Sequence, residues 1–182
     1  MHWAISEASL DDVDGLALIG GATFLETFAG TLDGAAIVAH CRHAHSADAY
    51  RAFLESGYQA WLARLAPGGA PIGFALLGPA DLPGAAEDGS DLELKRIYVL
   101  SRFHGKGPGR ALMECAVMQA AARRAHRVLL GVYKHNDRAL HFYQKNGFAQ
   151  IAERRFRVDD RDYEDVVLAK PLRAKRSPAP KP

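Results

Sequence analysis

The chain has 182 residues, of which 48% are hydrophobic and 24% charged, with a formal net charge of +2. That length suits one domain with a sizeable core, and the charge is too small to imply a nucleic-acid partner by itself. No apolar run reaches the roughly 18 residues of a membrane span, the opening MHWAISEASLDD lacks the blocks of a signal peptide, and the two cysteines, Cys41 and Cys115, lack metal-type spacing, so the expected compartment is a reducing cytoplasm.

Residues 2–8 alternate Trp3 and Ile5 with polar neighbours, which predicts a first strand. Ser9 and Asp12 resemble a capping box ahead of a helix that carries Val13, Leu16, Ala17, Phe24 and Phe28, and Gly20-Gly21 is expected to bend or divide it. Asp33 and Ser46 can cap two further helices. The period then changes. GYQAWLARL and PIGFALLG read as strands around the turn PGGAP, and PADLPGAAEDGS as a flexible loop. LELKRIYVL is a strand, residues 108–124 a helix, HRVLLGVY a strand buried on both faces, and residues 136–146 a short helix. FAQIAERRF and EDVVLAKPL are strands around RVDDRD, whose acidic residues read as a solvated turn. The tail, RAKRSPAPKP, is expected to be disordered. The pattern predicts an α/β (α+β) fold, one domain over residues 1–172 with a tail over 173–182.

The stretch SRFHGKGPGRALM, residues 101–113, lies between a strand and a helix. A helix start offers unpaired N–H groups and a partial positive charge. Glycines let the loop bring further N–H groups close to an anion. Arg102, Lys106 and Arg110 add charge, and Pro108 suits a first helical position, so the turn reads as a phosphate cradle. It is neither a Walker loop, which needs Ser or Thr after the lysine, nor the G-x-G-x-x-G dinucleotide fingerprint.

The run Arg102-x-x-Gly105-x-Gly107 resembles the pyrophosphate loop of the GNAT superfamily of acyl-CoA-dependent N-acyltransferases. VYKHNDRALHFYQKNGF, residues 132–148, is similar to the family's next strand–helix segment through Asn136, Ala139, Phe142, Tyr143, Gly147 and Phe148. The resemblance covers residues 70–170, and implies a GNAT-like, mostly antiparallel sheet of about seven strands flanked by helices. TFLETFAG, LELKRIYVL and VDDRDYEDVVLAKPL look most like the polyamine-acetylating bacterial type. Pro108 departs from the family's aliphatic residue and removes one N–H that could meet the pyrophosphate.

The resemblance implies transfer of an acetyl group from acetyl-CoA to a primary amine of a small molecule, polyamine-like, amino-acid-like or drug-like. It places cofactor contacts on the strand at Ile97, Tyr98 and Val99, and in the loop at Arg102, His104, Gly105, Lys106, Gly107, Gly109 and Arg110. Further contacts fall at Asn136, Arg138, Ala139, Phe142 and Tyr143. Glu93 is nominated as the base that deprotonates the amine through water, with Glu26 as the alternative, and Tyr143 as the acid that protonates the leaving thiolate. A backbone N–H at Val99 or Leu100 is the expected oxyanion donor, and Asp91 could help attract a cationic amine. His40, Cys41, His43 and His45 fall short of a metal pattern and are expected on a helical surface near the acceptor entrance; no metal is expected. Rival readings are acylation of protein N-termini or lysines, and a non-catalytic acyl-CoA-binding module. The resemblance allows a homodimer, and no membrane or nucleic-acid partner is expected.

Overall fold

Among the described residues seven strands, β1 (His2–Glu7), β2 (Gln59–Ala66), β3 (Pro71–Pro79), β4 (Asp91–Val99), β5 (Arg127–Tyr133), β6 (Ala149–Val158) and β7 (Arg161–Pro171), build one sheet in the order β1-β2-β3-β4-β5-β7-β6. Neighbours are antiparallel except β4 and β5, which run parallel and are joined through helix α4 (Pro108–Ala122). The other helices are α1 (Val13–Phe28), α2 (Gly34–Ala44), α3 (Ala47–Glu55) and α5 (Asp137–Lys145). This is the mixed, mostly antiparallel sheet expected from the sequence. The computed structural model describes residues 2–158 and 161–172; the expected tail and the acidic pair of the last turn, Asp159 and Asp160, lie outside the described residues.

The expected caps form. Ser9 and Asp12 close a reciprocal capping box, with the Ser9 N–H donating to Asp12 at 2.8 Å. Asp33 accepts from the Ala35 N–H at 2.8 Å, and Ser46 from the Ala49 N–H at 3.1 Å. The glycine pair behaves otherwise than expected. α1 runs unbroken through Gly20 and Gly21, because Gly20 faces the core and its missing side chain leaves room for His45 and Tyr50.

The two faces of the sheet carry different layers. On one, α4 and α5 pack over Ala75, Leu92, Leu94, Val128, Leu130 and Leu168. On the other, α1 and α3 pack over Ala60, Leu62, Phe74 and Leu76. Strand β5 is buried on both faces as expected, since Leu129 lies opposite Leu130 beneath Leu82 of the loop after β3. That loop is tethered. Its Asp81 and Ala86 N–H groups donate to Glu93 and Asp91, and Leu82 is buried.

One irregularity sets the site. β3 pairs Leu77 with Leu94 and Leu76 with Arg96, so Lys95 is an extra residue in β4. The bulge reverses the alternation. Before it Leu92 and Leu94 face α4; after it Ile97 and Val99 do, and Arg96 and Tyr98 turn toward α1 and α3.

Candidate active site

β4 and β5 pair only over Asp91–Glu93 and Arg127–Leu129. Beyond that point they part, and the sheet splits between its two central strands. The Leu100 N–H donates to Ile72 of β3 at 2.9 Å. By alternation, the backbone groups of Val99 and Ile97 point into the split. Leu100 is therefore spent on the sheet, and Val99 and Ile97 hold the donors available there.

The glycine turn closes the end of the split. Ser101–Phe103 makes a short turn, and Gly105 (φ 74°) and Gly107 (φ 103°) take left-handed backbone that L side chains rarely adopt. Pro108 occupies the first position of α4, as the sequence suggested. The first N–H groups of α4, including those of Gly109 and Arg110, thus open beside the exposed residues Gly105, Lys106 and Gly107. Trp3 of β1 holds Gly107 from behind; a Cβ there would stand 2.9 Å from its ring. Arg102 and Lys106 lie over the buried Phe103 ring at 5.0 and 5.9 Å, and Arg110 pairs with Glu114 at 2.8 Å. The loop residue that turns back onto β4 is His104. Its Nε2–H donates to the Val99 carbonyl at 2.6 Å, which leaves Nδ1 buried without a partner. Nothing in the sequence signalled that contact.

α5 lines the other side. The Asn136 side-chain carbonyl caps it by accepting from the Ala139 N–H at 3.1 Å, and Phe142 comes within 3.9 Å of where a Gly109 Cβ would sit, so the start of α4 meets the middle of α5 near Val99. Tyr143 packs between Phe142 (5.5 Å) and Phe148 (6.0 Å) and is 8% exposed. Burial, with a smaller contribution from Tyr98, pushes its phenol well above the usual range, so it keeps its proton at neutral pH. Arg138 and Ala139 fall in the first turn of α5.

The carboxylates divide between structure and site. Asp91 is bound by Arg127 at 2.5 Å and is 2% exposed. This corrects the expectation that it attracts an amine: its charge is spent on tying the closed end of the split. Glu93 is also buried, accepts from the Asp81 N–H at 3.2 Å and stands 3.7 Å from Lys95 Nζ. Glu26 of α1 reaches the open end of β4, where the Ser101 N–H and hydroxyl both donate to it at 2.7 Å. Burial raises its pKa, but the Ser101 bonds, His104 and Arg138 outweigh that and hold the carboxyl below its ordinary range.

The histidines do not share one surface. His45 is buried and lies 2.8 Å from the Tyr50 hydroxyl, and His40 stacks on Phe24 at 4.2 Å. Among the described residues no group of three or more His, Cys, Asp or Glu could hold a metal ion. Burial, then Arg96, lowers His45 from 6.5 to about 3, and burial raises Tyr50 to about 12. Both rings are neutral, and the phenol and Nδ1 share a hydrogen bond. A pKa lowered on folding contributes stability that is full above pH 6.5 and is lost as pH falls toward 3. The wild-type protein should lose about 2 kcal/mol from this group between pH 8 and pH 5. Urea unfolding at the two pH values should show that loss shrink by the same amount in His45→Gln; an equal loss in both proteins would refute it.

Comparison with known proteins agrees with the geometry. Residues 27–148 match the model of the acetyltransferase (GNAT) family. The chain is 37% identical over 101 residues to an uncharacterized N-acetyltransferase of Mycobacterium bovis, covering 56% of this chain and 60% of that protein. A second such protein, from Lactobacillus delbrueckii subsp. lactis, is 31% identical over 104 residues, covering 57% and 60%. The match thus spans 60% of the length of these curated relatives. The fold is shared with the PaiA N-acetyltransferase of Thermoplasma acidophilum in complex with coenzyme A (TM-score 0.75, 21% identity, 94% of this chain and 100% of that one). It is shared also with YncA of Salmonella typhimurium, whose structure holds its cofactor acetyl-CoA (TM-score 0.70, 19% identity, 100% of both chains). The family match covers most of the chain and both of its motifs, and the chain belongs to the GNAT family of acetyltransferases.

Proposed function

We propose that the protein transfers an acetyl group from acetyl-CoA to a primary amine of a small molecule. The observation that carries this is the split between β4 and β5, lined by the backbone of Ile97 and Val99 and ending at the left-handed glycines that open α4. A backbone edge with no strand partner suits the amide-bearing arm of coenzyme A, and a helix start suits its phosphates. Acetyl-CoA supplies the thioester; the nitrogen–carbon bond forms, the carbon–sulfur bond breaks, the amine gives up a proton and the sulfur gains one.

This chain's residues handle the charges. The Val99 N–H at the end of the strand suits donation to the carbonyl oxygen as it gains negative charge, and the Ile97 N–H two residues back suits the amide-bearing arm. Tyr143 gives the sulfur its proton. Glu93 takes the amine's proton through water, from the same face of β4 as Arg96 and Tyr98. Glu26, fixed on Ser101, fits the role of holding the open end of the split, with Arg138 beside it. His104 keeps the Val99 carbonyl occupied and so ties the glycine turn to the end of β4. Pro108 removes one N–H at the helix start, but those of Gly109 and Arg110 remain.

Thermal unfolding tests the reading. Acetyl-CoA at 100 times its Kd should add about 2.7 kcal/mol, or roughly 5–10 °C in Tm for a domain of this size. CoA should match it, and ATP and NAD should not. No shift at millimolar acetyl-CoA would mean that the glycine turn holds no cofactor, and the reading would fall.

A further inference from the structure

We propose that Arg96 selects acceptors carrying a carboxylate beside the reacting amine, so that the substrate is amino-acid-like and not a polyamine. The proposal rests on the acetyltransferase reading above and names the acceptor class of that same site.

The Lys95 bulge turns the Arg96 side chain toward α1 and α3, while the backbone of its neighbours Ile97 and Val99 borders the split. The guanidinium stands 5.2 Å from the ring centroids of both Tyr50 and Phe53. Arg96 hydrogen-bonds the Tyr50 hydroxyl, but its Nη1 is buried with no hydrogen-bond partner, and among the described residues none of the ion pairs includes Arg96. Its surroundings supply no negative charge. His40 and His45 are held below their ordinary range by burial and then by Arg96 itself, and the Tyr50 and Tyr98 phenols are pushed up by burial. Glu93, on the same face of the strand, is engaged by Asp81 and Lys95.

A desolvated guanidinium donor with no acceptor is costly, and a charge without a counter-charge more so. A bound ligand that accepts from Nη1 and brings a negative charge would complete the site. A carboxylate matches the guanidinium fork and would accept from the open Nη1. Arg96 lies three residues before Val99, about 10 Å along the strand, so one small molecule can reach both the side chain and the split. A polyamine would bring a second cation to this place, where like charges repel. The chemistry is unchanged: the amine nitrogen bonds the acetyl carbon, the carbon–sulfur bond breaks, and one proton passes from the amine to the sulfur through the groups already named.

The test sets each free L-amino acid against its own amide, with putrescine and spermidine alongside, and follows CoA thiol release. For an accepted side chain, kcat/KM should favour the acid over the amide by about 10- to 100-fold, and the polyamines should be poorest. Arg96→Gln should bring that ratio close to one by raising KM for the acid, and Arg96→Lys should keep part of it. A second readout does not depend on turnover. Calorimetric titration of the same acid into CoA-saturated protein should show binding in the wild type and none in Arg96→Gln. Preference for an amide or polyamine, a ratio that survives Arg96→Gln, or a Tm raised by acetyl-CoA with no amino acid turned over would each overturn the assignment. Absence of any acetyl-CoA shift would instead count against the acetyltransferase reading itself. Should Arg96→Gln fail to fold, the wild-type ratio and titration decide alone.

Discussion

Tyr143→Phe should lower kcat by about 100-fold or more, the size of a single general-acid contribution, and leave the acetyl-CoA Tm shift unchanged. The substitution removes one oxygen from a ring that Phe142 and Phe148 hold in place, so the packing survives. What is lost is the proton. A CoA thiolate leaving without one is a poorer leaving group and recombines more readily. Because burial raises the phenol, Tyr143 stays protonated across the neutral range, as the proposed acid must be before the thioester breaks. The phenol must then be recharged, and the proton released by the amine is the natural source. Steady-state kcat, KM for acetyl-CoA and the ligand-induced shift separate the cases. A drop in kcat alone assigns the acid role. A drop in the shift as well means that Tyr143 mainly shapes the pocket, and unchanged kcat removes it from the mechanism.

Much of this was legible in the chain. The glycine turn announced its place because left-handed backbone, a helix start and cations all leave local marks, as Gly105, Gly107 and Pro108 do. The strands were legible for the same reason: alternation is a property of neighbouring residues. The bulge at Lys95 was not, since it exists only against β3 and has no signature within LELKRIYVL. The sequence offered Asp91 to a cationic amine as a free carboxylate. The long-range pair with Arg127 had already consumed it. The Arg96 environment was hidden for a related reason. It is built from α2, α3 and β4, and nothing in the spacing of His40, His45, Tyr50, Phe53 and Arg96 tells that they converge.

Gly20 shows the same gap between local and tertiary reasoning, and it makes the second large prediction. By helix propensity, Gly20→Ala and Gly21→Ala should each stabilise α1 by up to about 1 kcal/mol. The structure separates them. A Cβ on Gly21 meets nothing within 4 Å, whereas one on Gly20 would stand 2.3 Å from the Tyr50 hydroxyl and 2.4 Å from His45 Nδ1. Those two atoms are bonded to each other in a buried site, and Tyr50 is fully enclosed with its ring edge-on to Phe74 at 5.8 Å. Neither can retreat without breaking that bond or moving Arg96. Overpacking costs roughly 1–3 kcal/mol and a disrupted buried hydrogen bond roughly 1–3 more. After the propensity gain, Gly20→Ala should lose about 2–4 kcal/mol, a fall in Tm of roughly 5–15 °C for a domain of this size. Gly21→Ala should match or exceed the wild type. If the two variants melt together, Gly20 is not a packing glycine. The same pair carries a functional reading, because the crowded rings are those that hold Arg96: Gly20→Ala should also weaken the preference for acid over amide, and Gly21→Ala should not.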